Sequence, residues 1–174
     1  MVSWMITILV VTALVLVVFR IATRPKNSRH DRFITPDSDP HGPFRRQPLE
    51  RIDETPDLPV PFGYKMSWIA IRSSDPSDVI DLVSIDEPQR ANWHTGIPAA
   101  YRHYTFVSPP IDGWVLVVSP NIPGLETEDS SAEWKRLMER LADHFDDVQS
   151  FSTHRVVEYH ALARFLKGKE IRAY

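Results

Sequence analysis

The sequence contains no cysteine. Disulfides, thiolate metal sites and a cysteine nucleophile are excluded at once. Glycine is scarce, at 6 of 174 residues. There is no phosphate-cradling Gly-rich loop, no Gly-x-Ser-x-Gly elbow and no His-Glu-x-x-His zinc helix. With 5 tryptophans beside so few glycines, the composition suits packing more than nucleotide binding. A basic surplus is also missing. The net charge is −3, and from Phe62 onward 12 lysines and arginines face 16 carboxylates. Nucleic-acid footprints are basic, so none is expected here. Neither a cofactor nor a metal is expected. No repeat at a solenoid period is found.

The longest absence is of charge. Met1 to Phe19 carries no charged side chain, and Trp4 to Phe19 is almost wholly Ile, Leu, Val, Ala and Met. About 20 apolar residues suffice for a helix to cross a bilayer core. A cleaved signal needs a positive n-region and a small-residue cleavage site. No Lys or Arg precedes Trp4, and Ala22-Thr23-Arg24 is a poor cleavage site. The reading is an uncleaved transmembrane anchor over 1–22. Arg20, Arg24, Lys26, Arg29 and Arg32 follow it against Asp31 alone. Basic residues flanking a span stay on the cytoplasmic side, which predicts an outside N-terminus and a cytoplasmic C-terminal domain.

Residues 23–61 read as a Pro-rich tether. Pro25, Pro36, Pro40, Pro43, Pro48, Pro56, Pro59 and Pro61 punctuate it, and no apolar periodicity survives. Proline removes backbone donors and blocks helix, so an extended, largely disordered segment is expected. At roughly 3 Å per residue it would carry the domain tens of ångströms from the membrane.

Residues 62–174 form the predicted domain. Tyr64 to Arg72 is aromatic and β-branched and reads as a buried strand. Ser73-Ser74-Asp75-Pro76 starts a helix, with Pro at its first position. Glu87 to Ala100 reads as irregular, broken by Pro88, Gly96 and Pro98. Tyr104–Ser108 and Trp114–Ser119 are strands around an Asp112-Gly113 turn. Ser130 to Glu133 fits a capping box, and Trp134, Leu137, Met138, Leu141 and Phe145 then recur at helical spacing. Val148 to Phe151 reads as a strand, Thr153 to about Leu166 as a third helix, and Glu170 to Tyr174 as a last short strand. The order predicts an α+β domain of two layers. Its ferredoxin-like βαββαβ core is extended by one helix and one short strand.

Three stretches in this domain resemble a group of uncharacterised bacterial proteins. They are Phe62-Gly63-Tyr64-Lys65 with Ser67-Trp68, Gly113 to Val118, and Thr153-His154-Arg155-Val156-Val157-Glu158-Tyr159-His160. The likeness spans the domain and not the anchor or tether. It carries no activity and no functional residues across; with the anchor read over 1–22, the expected location is the bacterial inner membrane. Members of that group run on past the last strand, whereas this chain stops at Tyr174. An open sheet edge there would be a pairing liability or an interface.

Two stretches hold candidate chemistry. Asn92-Trp93-His94-Thr95-Gly96 places an amide, an indole and an imidazole on the expected loop. The ordinary role of Trp93 there is to plug the edge of the core, with His94 solvated. On the predicted third helix His154 and Glu158 are four apart and share a face, while His160 points elsewhere. A carboxylate beside an imidazole serves general acid–base chemistry, although such a pair is more often only a surface contact. His94, His154 and Glu158 are thus the candidate catalytic residues. Trp93, Tyr101 and Arg155 are the candidate binding residues, with Arg155 set against the helix dipole. Two function classes follow. The first is a membrane-anchored cytoplasmic protein-interaction or ligand-sensing module, for which a toxin-neutralising role on a protein partner is one form. The second is a small enzyme or ligand binder using the His/Glu site near the Trp93 loop.

Overall fold

The computed structural model describes residues 51–174 apart from Asp86 and Glu126. The expected anchor at 1–22 and residues 23–50 of the tether lie outside the described residues. Among the described residues no helix is long and apolar enough to cross a membrane.

The fold is built around β1 (Met66–Arg72). Its residues alternate, so one set points to each face of the sheet. Ile69 and Ile71 are wholly buried on one face, and Met66 and Trp68 lie on the other. Helix α1 (Pro76–Leu82) follows, capped by the Asp75 carboxylate, which accepts the Ser77 N–H at 2.8 Å. Helix α2 covers Trp93–Ala100. The hairpin β2 (Phe106–Val107) and β3 (Trp114–Val118) turns through Asp112 and Gly113, both at positive φ. Helix α3 (Glu128–Ala142) is the longest among the described residues. The chain ends in a meander of β4 (Asp147–His154), β5 (Tyr159–Leu166) and β6 (Lys169–Ala173), with a 3-10 turn at Arg155–Val157 between the first two.

The six strands form one antiparallel sheet in the order β2-β3-β1-β4-β5-β6. On one face Ile69, Ile71, Val115, Val117 and Val148 meet Val79 and Val83 after α1's first turn and Leu137, Met138 and Leu141 of α3. Each such side chain contributes roughly 1.5–3 kcal/mol by burial. The Trp134 indole donates to the Ser150 hydroxyl at 3.1 Å inside this core, so its polar edge is satisfied. The opposite face carries a second, smaller core. There Trp93, Ile97 and Ala100 of α2 cover Met66, Phe106 and Val118, and Val60 and Phe62 pack alongside. The α+β class holds, but α2 adds a partial third layer to the two that the sequence predicts.

Three elements differ from the sequence reading. The expected third helix from Thr153 to Leu166 is absent; that stretch is the end of β4, the 3-10 turn and β5. Ala163 and Phe165 are buried at period two beneath Trp134, and β5 pairs with β4 along its whole length. Pairing overrides the helix propensity of Ala-Leu-Ala-Arg-Phe-Leu. The extension beyond β4 is therefore two strands and not a helix and a strand. Glu87–Ala100, read as irregular, contains α2. Finally, α3 starts a turn early. Thr127 is its cap, and the capping box is closed by Ser130 instead of Glu133.

Candidate functional site

The N-terminus of α2 is where separate parts of the chain converge. Asn92 is its cap. The Asn92 side-chain carbonyl accepts the Thr95 N–H at 2.9 Å, and its amide donates to the Thr55 carbonyl at 3.0 Å. The Asn92 N–H donates to the Asp53 carbonyl at 2.8 Å, and the Asp53 N–H donates to the Thr95 hydroxyl at 3.2 Å. One oxygen of Asp57 accepts the Trp93 N–H at 2.8 Å. Its other oxygen accepts the His94 N–H at 2.9 Å and meets His94 Nδ1 at 2.7 Å. Residues 51–57 thus form a strap bound to the helix start. The ordered contacts of the domain begin upstream of the boundary expected at Phe62.

This strap fills the role of an anion. A helix start presents unpaired N–H groups and the positive end of the dipole, and here a carboxylate and an amide already take them. Desolvation pushes the Asp57 carboxyl upward. The hydrogen bonds from the His94 and Trp93 N–H groups and from the His94 ring outweigh it together and hold the carboxyl below its usual range. Asp53 is lowered as well, by the Thr55 backbone and hydroxyl donors.

Beside the strap lies an open cleft of about 1270 Å³. Its walls come from three places. The strap supplies Ile52, Pro56 and Pro59; α1 and the following loop supply Ile80, Ile85 and Pro88; α2 and the sheet edge supply Trp93, Ala99, Phe106 and Val107. Gly96 allows the helix to sit directly on Phe106, whose ring meets Trp93 edge to face at 5.2 Å. Glu54, Asp57, Glu87 and Arg90 are the charged residues lining it.

The candidate residues fall into separate groups. Trp93 is only 3% exposed, so it anchors the second core and shows the cleft an edge, and is no surface anchor. Tyr101 is partly exposed just past α2, and its hydroxyl accepts the Gly63 N–H at 3.3 Å. His94 has a solvent-exposed ring whose Nδ1 is held by Asp57. His154, Arg155 and Glu158 are exposed at the β4–β5 turn, where Glu158 adopts left-handed backbone. The helical face that was to unite His154 with Glu158 does not exist, because the chain reverses between them. Among the described residues, no hydrogen bond or ion pair joins either of them to His94. Among the described residues no cluster of three His, Asp or Glu side chains is placed to hold a metal.

The sequence reading missed Asp57, Phe106 and Val107. The Asn92-x-x-Thr95 spacing is a capping signal that would have announced α2. Nothing local announces Asp57, which reaches α2 from the tether. Comparison of the chain with protein-family models, with curated proteins and with solved structures finds no match.

Proposed function

We propose that this protein is a membrane-anchored binding module that captures a protein partner in the cleft beside β2, without catalysis. The observation that carries this is the cleft itself, a largely apolar space at a sheet edge with a few polar groups on its rim. The Asp57–His94 pair supports the non-catalytic side of the reading. Its carboxylate is spent on capping α2, and among the described residues no hydroxyl nucleophile is bonded to the ring. The apolar run 1–22 and the basic cluster after it support a single span with the domain in the cytoplasm. We also read β1 to β4, in the order β2-β3-β1-β4 with α1 and α3 as crossovers, as a ferredoxin-like core onto which α2, β5 and β6 have been added.

The test is photo-crosslinking in intact cells. A photoreactive amino acid at Gln89, on the cleft, is expected to give a discrete protein adduct. The same group at Lys169, on the far edge of the sheet, is expected to give none. Adducts from neither position, or equally from both, would refute the reading.

A further inference from the structure

We infer that the cleft takes an extended peptide, apolar and carrying lysine or arginine, which joins the sheet as an added strand beside β2; this rests on the binding reading above. The carrying observation is backbone geometry. Val107 is opposite Val117, and Phe106 is opposite Val118. The Ser108 N–H donates to the Leu116 carbonyl at 2.8 Å, which makes the next pair along a bonded one and marks 107–117 as the unbonded pair between them. The N–H and C=O of Val107 therefore point away from β3. Among the described residues β2 is the last strand on that side of the sheet, and Val107 lines the cleft. An extended chain lying there would exchange both of its main-chain bonds with Val107.

The two edges of the sheet are built differently. β6 is interrupted by a bulge and carries Lys169, Glu170 and Arg172, all exposed. Charges and bulges are the usual guards against strand addition. β2 carries Phe106 and Val107, with no charge and no bulge. Pro109 and Pro110 follow after Ser108 and offer no N–H, so the added pairing is short and ends there. A short ladder leaves specificity to side chains. The cleft supplies apolar walls, and with the Asp57 carboxylate already taken up by the start of α2 its remaining charged lining is Glu54 and Glu87 against Arg90. That balance selects cationic side chains on the peptide and rejects acidic ones.

Phage-displayed random seven-residue peptides, panned on the full chain in detergent micelles, test this. Selected sequences are expected to alternate apolar residues with lysine or arginine. N-methylation at one central peptide position should weaken binding about tenfold, since it removes a main-chain bond. The Val107→Pro variant removes the outward N–H while leaving the β3 ladder intact, and it should lose the same peptides. If that variant fails to fold, the N-methyl series still decides on the wild-type protein. Enrichment of acidic or uncharged peptides would overturn the stated chemistry. Peptides indifferent to N-methylation at every position would overturn strand addition, as would recovery of no peptide at all. None of these results touches the Gln89 adduct, so this inference and the binding reading fail separately.

Discussion

Gly96→Ala is the sharpest probe of how α2 is seated. A methyl group at this position would lie 2.1 Å from Cδ2 and 2.2 Å from Cε2 of Phe106. Contacts that close do not persist, so either the ring or the helix must move. The ring has little room, since Phe106 is 5% exposed and wedged against Trp93. Alanine in a helix gains about 1 kcal/mol over glycine. Overpacking a filled core costs about 1–3 kcal/mol, and a clash this severe belongs at the upper end. The two effects oppose, and sterics win by about 2 kcal/mol. With a urea dependence of roughly 1–3 kcal/mol per molar, the unfolding midpoint should fall by about 1 M. Phe106→Ala alone should cost about 3–5 kcal/mol. Combined, the new methyl occupies part of the vacated space, so the double variant should lose about 2 kcal/mol less than the sum. Urea denaturation followed by tryptophan fluorescence reads all three. A Gly96→Ala midpoint at or above wild type, or strictly additive losses, would show that α2 does not rest on Phe106.

Ser150→Ala strands the Trp134 indole N–H in the core and should cost about 1–3 kcal/mol by the same denaturation assay. Asn92→Ala removes the cap of α2 and one bond to the strap, for a loss of about 1–2 kcal/mol. Asp57 predicts an acid dependence. Its folded carboxyl lies below the unfolded value of 3.8, so the stability it adds is present above that pH and is lost as pH falls through the folded value. Asp57→Asn should flatten the drop in melting temperature below about pH 4 relative to wild type, and calorimetric curves that stay parallel would contradict the assignment.

The parts legible from the sequence are those whose period matched their burial. Ile69 and Ile71 in β1 and Trp134, Leu137, Met138 and Leu141 in α3 lie in the core as the spacing predicts. β5 was not legible because Ala161 to Leu166 has the propensity of a helix. Only its partner strand β4 decides otherwise. α2 was hidden by its own tertiary fit. Gly96 and Pro98 count against a helix locally, yet Gly96 is what lets the helix reach Phe106. The cleft was illegible for a different reason. Its walls come from the strap, the α1 loop and β2, and no sequence window contains more than one of them. His154 and Glu158 show the converse, where a plausible pairing vanished with the helix that supported it.

The place of β1 has a consequence for how the chain is made. It sits between β3 and β4, and both are synthesised after it. At roughly 5–20 residues per second, His154 emerges on the order of 4–16 s after Arg72. For that interval a strand with Ile69 and Ile71 wholly buried on one face, and Met66 and Trp68 on the other, has no full set of partners. The β2–β3 hairpin and the β4–β5–β6 meander join neighbours in sequence and close quickly once made. The first strand of the described residues is thus among the last to be locked in place, and until then its apolar faces have no complete cover.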